Sequence, residues 1–521
     1  MKLIFEKSVW KRRIALGLSA VMLLAVIPAE SVFAEERAEA GAPVSKTSIL
    51  KAGSHPASGM SKTADQPFAS GTAGSGQFRM PSVITLDDGS LLAAADARWN
   101  AASAAGGMDT IASISVDGGN TWNYSFPFHF PDAEGYAGEH AASFTDPALV
   151  QGADGTIYCF AAAFPTGYWP GDIKSNGGTG YITVEGRPRL ALTDSWESCN
   201  TKPADDDETL YAYYVGDFAS VEGLETQYAP IVRRRDHEPT QYVVDEWYNI
   251  YERSGGSYTE LTQRKILNAD NDKDDASNVQ QNVFYRDSMF HVYRIGYTWV
   301  ITSKDGRTWE QPKIITDQIM RAEGEDVLLI SSGRGLTTKK HGDILIGDYF
   351  YKKDGQQLAG MIYSSDNGKT WNRTKEDVRI TGAVSSDHTA ENEIVELKNG
   401  NLLMFYRNTT GYLCYANVIR ERDGSYIIGS SVKTGAKLND RDASDCNISA
   451  VSYSRELNGR QIILVSCPSG EAHPQNKQTG YDGCVNGRIY AFVVENNGAL
   501  KLAADPFPVP DSFGTFRNSC L

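Results

Sequence analysis

Three arginines in this chain stand where a strand begins or ends. Arg79 lies in Phe78-Arg79-Met80-Pro81, Arg407 closes the apolar run Leu402–Tyr406, and Arg488 follows Asn486-Gly487 and opens Ile489–Val494. A guanidinium is planar, always charged and forked, so it meets a carboxylate with parallel charge-assisted hydrogen bonds. Any one of the three alone reads as a surface arginine or an ion-pair partner. Together they can bind a carboxylate, provided a scaffold delivers three distant strand ends to one point.

The sequence between them describes such a scaffold. Short apolar runs flank tight turns: Pro81–Leu86 and Ser90–Ala95 around Asp87-Asp88-Gly89, Ala148–Val150 and Thr156–Ala162 around Gly152–Gly155, Ile394–Leu397 and Leu402–Tyr406 around Lys398–Asn401. These are hairpin signals, and no long amphipathic helix pattern interrupts them. One eight-residue pattern recurs three times, at Ser115–Trp122, Thr302–Trp309 and Ser364–Trp371. In each copy an acidic and a hydroxyl side chain can bond nearby backbone N–H groups, a Gly permits positive φ, and a terminal Trp can plug the space beside the next unit. A recurring turn after strands means a repeat architecture, here a β-propeller. A weaker copy stands at Arg422-Asp-Gly-Ser-Tyr426. Trp122 and Trp309 are 187 residues apart and Trp309 and Trp371 only 62. The first gap therefore holds extra blades and a small inserted β-rich region at about 165–280. The count comes to six blades.

Lys2, Lys7, Lys11, Arg12 and Arg13 precede the apolar run Ile14–Ile27, and Val32-Phe33-Ala34 offers a small-residue cleavage site. Residues 1–34 read as a secretory signal peptide, so the protein is expected to be secreted or associated with the cell surface, with no stable membrane span after cleavage. Residues 35–72 read as a flexible leader, and 73–521 as the propeller. Removing residues 1–34 takes away five basic and two acidic groups, so the formal charge falls from −15 to −18. That field excludes a nucleic-acid partner, although a local arginine cluster can still attract a small anion. Seven cysteines are scattered without zinc spacing, which leaves room for at most a disulfide or two of unassigned pairing.

Phe78-Arg79-Met80-Pro81 is close to the Phe-Arg-Ile-Pro motif of the bacterial sialidases, and repeated Asp boxes follow it in both. From about residue 76 to the end, including Gly333-Arg-Gly335, the chain resembles that family, whose members are retaining glycoside hydrolases built on a six-bladed β-propeller. The resemblance implies that sialylated glycans are the partners; no cofactor and no metal-ligating residue is assigned. It maps the carboxylate-binding triad onto Arg79, Arg407 and Arg488. It places Arg98 at the sugar 4-hydroxyl and Asp146 near the N-acyl and 4-hydroxyl region. Glu391, 16 residues before Arg407, falls on the glutamate that activates the nucleophile. Because sialic acid carries a carboxylate on its anomeric carbon, the family uses a neutral Tyr as nucleophile, in exception to the two-carboxylate scheme.

Two positions depart from that pattern. The loop Trp99–Met108, where the family keeps its acid/base Asp, contains no carboxylate, and Asp109 and Asp96 are the nearest. The ending Phe516-Arg-Asn-Ser-Cys-Leu521 puts Asn518 at the position of the family Tyr, and the last blade is expected to be incomplete. Two readings result: a secreted exo-α-sialidase that removes terminal sialic acid, or a catalytically inactive propeller that binds sialic acid as a lectin.

Overall fold

A computed structural model describes residues 49–521 except 54–57, 62–65, 101–105, 135, 137–139, 170–177, 269, 322–326, 353–354, 381–386, 439–441, 472–482, 511, 513–515 and 517–518. The signal peptide and most of the leader read from the sequence lie outside the described residues.

Each eight-residue box forms the turn it was expected to form. In the first, Asp117 Oδ1 accepts the Thr121 N–H at 2.9 Å, Asp117 Oδ2 accepts the Thr121 hydroxyl at 2.7 Å, and Ser115 Oγ accepts the Gly119 N–H at 2.8 Å. The threonine side-chain bond, then its backbone N–H, holds the Asp117 carboxyl down to about 2. Asp366 and Ser364 repeat these bonds in the third box, and in the second Asp305 accepts the Thr308 N–H at 2.7 Å and the Thr308 hydroxyl at a longer 3.3 Å. The tryptophans are the plugs. Trp371 stands edge-on to Phe160 of the neighbouring sheet at 4.9 Å, and Trp309 donates its Nε1–H to Ser125 of the sheet before at 3.0 Å.

The boxes sit at one topological position, the turn into the outer strand of successive antiparallel sheets. The first sheet runs Gln77–Thr85, Leu91–Arg98, Met108–Ser115, Trp122–Phe128, with Gly59–Ser61 paired outside it. That short strand covers an edge within the stretch read as a leader. The second comprises Ser143–Gln151, Ile157–Phe164, Tyr297–Ser303 and Lys313–Ile314. The third comprises Val327–Ile330, Ile344–Tyr351, Gln357–Ser364 and Asn372–Arg373. In the fourth (Thr389–Glu396, Leu402–Asn408, Tyr412–Arg420, Tyr426–Ile428) the weak copy at Arg422–Tyr426 makes the corresponding turn, with Asp423 Oδ1 accepting the Ser425 N–H at 3.0 Å. The fifth comprises Ser449–Ser452, Ile462–Pro468, Gly487–Val494 and Leu500–Leu502.

The sequence count of six meets five such sheets among the described residues. Among the described residues, the terminal segment bonds the inner strands of both the fifth and the first: Leu521 N–H bonds Ser449 Oγ at 3.0 Å and Val83 N–H bonds Cys520 Sγ at 3.3 Å.

A crosspiece joins the inner strands. Gly333–Arg334 pairs in parallel with Ala148 and Leu149 of the second sheet. The Gly333 carbonyl accepts the Ser82 hydroxyl of the first sheet. Arg334 N–H bonds Glu393 Oε1 of the fourth sheet at 3.2 Å, and its Nη2 bonds the Ala450 carbonyl of the fifth at 2.6 Å. Glu393, buried, also accepts the Ala450 N–H at 2.8 Å and Ser449 Oγ at 2.9 Å.

The insertion leaves the second sheet after Phe164 and returns at Tyr297. It forms an eight-stranded sheet from Tyr181–Val184 to Ser257–Glu260 and a hairpin of Thr262–Ile266 with Lys273–Gln280. It docks through aromatic rings around the fully buried Trp299, which meets Phe144 at 5.3 Å, Phe284 at 5.6 Å and Tyr248 at 5.6 Å. Where the hairpin meets the first sheet, Asp132 is buried with one oxygen on the Ile266 N–H at 3.4 Å and the other without a hydrogen-bond partner among the described residues. Burial lifts its carboxyl from the ordinary 3.8 to about 7. Its folded value lies above its unfolded one, so the stability it lends is complete below 3.8 and is lost as pH rises through about 7. Asp132→Asn is expected to lose less melting temperature than the wild type between pH 5 and pH 8; equal losses in a thermal-shift series would remove Asp132 from the account.

Candidate active site

Three inner strands lose register at one level. The breaks fall between Arg79 and Ser82, between Thr145 and Ala148, and between Thr389 and Asn392. Met80 and Asp146 take φ of 55° and 57°, each just before a proline that cannot continue the ladder. A bulge turns its side chains out of the alternation that would otherwise send them into the sheet packing. The three bulges carry Arg79, Asp146 and Glu391.

Asp96 holds the second bulge. Its Oδ1 accepts the Asp146 N–H at 2.9 Å, and its Oδ2 accepts Thr145 Oγ1 and Arg98 Nη2, both at 3.1 Å. Arg98 is thereby buried against the first sheet. Burial drives the Asp146 carboxyl well above the usual range, the negative charges of Asp96 and Glu391 add to this, and Arg98 and Arg79 pull it back. Arg79, Arg98, Asp146 and Glu391 thus share one electrostatic neighbourhood.

Arg407 completes it from the fourth sheet. Its Nη1 donates to Glu391 Oε2 at 2.8 Å and its Nε to Asp445 Oδ1 at 2.8 Å. Asp445 Oδ1 also meets His388 Nε2 at 2.8 Å. Arg488 stands at the head of Gly487–Val494 in the fifth sheet, and its Nη2 is held by Glu471 Oε2. Glu471 is an internal carboxylate on an arginine expected to take an external one, and its side chain is 51 % exposed. Glu471→Gln is expected to tighten binding of a small carboxylic acid about threefold; weaker binding in a calorimetric titration would make Glu471 a support of Arg488 and not its competitor.

Asn518 lies outside the described residues, as do residues 101–105 of the Trp99–Met108 loop. Asp109, the nearest carboxylate to that loop, is fully buried and engaged: it accepts Trp99 Nε1–H at 2.7 Å and the Phe130 N–H at 2.7 Å, and meets His129 Nδ1 at 2.9 Å. It fixes the strand and loop around it. The sequence reading missed Asp445, His388, Glu471 and the pair Tyr349 and Tyr351. Burial pushes the Tyr351 hydroxyl up to about 12, with Glu391, Asp146 and Asp445 adding to it against Arg407. Tyr349 and Tyr351 close the strand Ile344–Tyr351, as Arg98 and Arg407 stand at the ends of theirs, and that was their only signal. Among the described residues no group of three or more His, Cys, Asp or Glu could hold a metal ion. No described helix is long and apolar enough to cross a membrane.

The model of the BNR repeat-like domain matches residues 80–482 of this chain, a span that holds all three boxes, Arg98, Asp146, Glu391 and Arg407. The chain belongs to the BNR repeat-like family. Within it, this BNR repeat-like protein is similar to the anhydrosialidase of Macrobdella decora, at 26 % identity over 468 residues, 83 % of this chain and 53 % of that protein. It is also similar to sialidase B of Streptococcus pneumoniae, at 26 % identity over 420 residues, 76 % of this chain and 54 % of that one. The chain spans about half the length of these curated relatives. Among solved structures, the intramolecular trans-sialidase of Ruminococcus gnavus in complex with oseltamivir carboxylate superposes with a TM-score of 0.66 at 24 % identity, over 86 % of this chain and 88 % of that one. That likeness supports the all-β fold, and the resemblance to bacterial sialidases drawn from Arg79 and the boxes is borne out over most of the chain.

Proposed function

We propose that this BNR repeat-like protein is a secreted sialidase-type glycoside hydrolase that recognises terminal sialic acid on glycoconjugates. The observation that carries the reading is the convergence of Arg79, Asp146 and Glu391, at the bulges of inner strands from three sheets, with Arg98 and Arg407, at the ends of the strands next to them. Positive guanidinium groups face a site in which burial raises the Asp146 carboxyl well above its ordinary value. That combination suits a sugar acid, with positive charge for its carboxylate and a carboxyl group to hydrogen-bond its hydroxyls. Arg79, Arg407 and Arg488 are the carboxylate triad in this reading, Arg98 and Asp146 contact the ring substituents, Glu391 is the base that activates the nucleophile, and Asn518 stands at the nucleophile's position in the sequence. The mechanism of the complete site is retaining. A six-bladed ring is supported by the terminal segment lying between the inner strands of the first and fifth sheets.

A specific observation favours a second reading, sialic acid binding without turnover. Asp96 and Asp109 are both committed to structural hydrogen bonds, the Trp99–Met108 loop has no carboxylate, and an amide at position 518 has no phenol proton to give up. Calorimetry with free sialic acid, beside release of a fluorophore from an aryl sialoside, separates the readings. Binding with turnover supports the hydrolase, and binding without turnover supports the lectin. If the sugar does not bind and Arg79→Ala behaves as the wild type, both are wrong.

A further inference from the structure

Arg407 is gripped from two directions by groups of different origin. Glu391 belongs to the inner strand of its own sheet. Asp445 ends the 3-10 turn Asp442–Asp445, which leads into the fifth sheet. That turn is anchored three ways. Ser444 Oγ accepts the Gly411 N–H at 2.8 Å, Asp445 Oδ1 meets His388 Nε2 at 2.8 Å, and the next residue, Cys446, is in a disulfide with Cys484. Cys484 stands four residues before Arg488. One short turn therefore touches both the guanidinium of Arg407 and the approach to Arg488.

We propose that Asp445 is the positioning residue of the anion site. It fixes Arg407 through Nε while Glu391 fixes Nη1, so the guanidinium plane is locked and Nη2 is left for an incoming carboxylate. The disulfide keeps this turn in step with the strand of Arg488, so that the two arginines present a set spacing. The proposal rests on the reading that Arg407 and Arg488 receive a sugar carboxylate. An exposed ion pair would do little of this kind. Asp445 differs because its side chain is 29 % exposed and has two partners on one oxygen. Burial works against its charge, and the His388 and Arg407 contacts more than offset that, so the carboxyl stays below its ordinary value. Asp445 and Glu471 then have opposite roles. One is held by a covalently anchored turn and aims its arginine, while the other is half exposed and competes for its arginine.

The test is a set of calorimetric titrations on the full chain with free sialic acid and with its methyl ester, which lacks the negative charge. Wild type, Asp445→Asn, Asp445→Glu and Arg407→Ala are compared, each checked for native near-ultraviolet dichroism. Asp445→Asn is expected to weaken the acid about tenfold and leave the ester unchanged, with Asp445→Glu recovering part of the loss. A merely structural role would weaken both ligands alike and would overturn the proposal. So would an Asn variant that binds the acid as tightly as the wild type while Arg407→Ala binds it poorly. If Arg407→Ala itself binds the acid like the wild type, the carboxylate reading of the site fails, which is a distinct result. Should Asp445→Asn not fold, His388→Ala serves in its place. It leaves the Asp445 charge and removes one restraint, and a selective loss of acid binding supports the proposal while no loss overturns it.

Discussion

Replacing Arg407 by Ala is expected to reduce affinity for free sialic acid by about a hundredfold and to lower folding stability by about 3 kcal/mol. The two losses share one cause. Arg407 neutralises Glu391 and Asp445, each at 2.8 Å, and Glu391 has a side chain only 7 % exposed. Without the guanidinium, two carboxylates face one another in a partly dry site, and nothing remains on the fourth sheet to receive an anion. Removing one member of a buried pair leaves the other charge uncompensated, which costs more than the pair contributed. Arg407→Lys is expected to fall between, because an ammonium retains the charge and cannot bond two carboxylates and a ligand along one plane. Calorimetry and thermal melts of the two variants check both effects. An Arg407→Ala protein that melts with the wild type would show that the network has no structural weight.

Gly333→Ala is expected to destabilise the fold by about 4 kcal/mol, whereas Gly89→Ala should cost about 1 kcal/mol. Both glycines have positive φ, 133° and 87°, so both substitutions meet backbone strain. They differ in what an added methyl group would strike. Around Gly89 there is nothing within 4 Å. At Gly333 the methyl would overlap Glu393 Oε1, the oxygen that accepts the Arg334 N–H. Glu393 would have to swing away, leaving buried donors at Arg334, Ser449 and Ala450 without their acceptor. Urea midpoints measure the difference, and equal shifts for the two variants would show that the crosspiece yields without cost.

The sequence disclosed the parts of this protein that are local. Asp117 and Thr121 lie within one turn, so the box could be read directly from their spacing, and the same holds for the hairpin at Asp87–Gly89. Arg79 and Arg407 were visible because strand ends and forked cations need no knowledge of distant partners. What stayed hidden is non-local. Asp445 is 38 residues from Arg407, and Glu393 and Ala450 are 57 apart; neither pairing leaves a mark on either segment. One signal was present and unused. Pro81 and Pro147 each interrupt an apolar strand just after a positive-φ residue. A proline inside such a run marks a bulge, and those bulges carry Arg79 and Asp146. The disulfide between Cys446 and Cys484 could not be chosen among seven cysteines from spacing alone, whereas the burial of Cys159, Cys199, Cys414 and Cys467 follows from the apolar segments around most of them.

Repeat proteins commonly unfold piecemeal, because each unit touches only its neighbours and can peel from an end. The segment Gly333–Arg334 removes that freedom here. It originates in the third sheet and is bonded to the first, second, fourth and fifth, so the first and fifth sheets are tied to a segment that is not their neighbour in order, and no sheet can leave without breaking a contact to it. The expected denaturation curve is a single transition that different spectroscopic probes report at the same midpoint, with the terminal and central sheets exchanging their amide protons at similar rates. A molecule built from repeats would then behave, in its opening, as one indivisible unit.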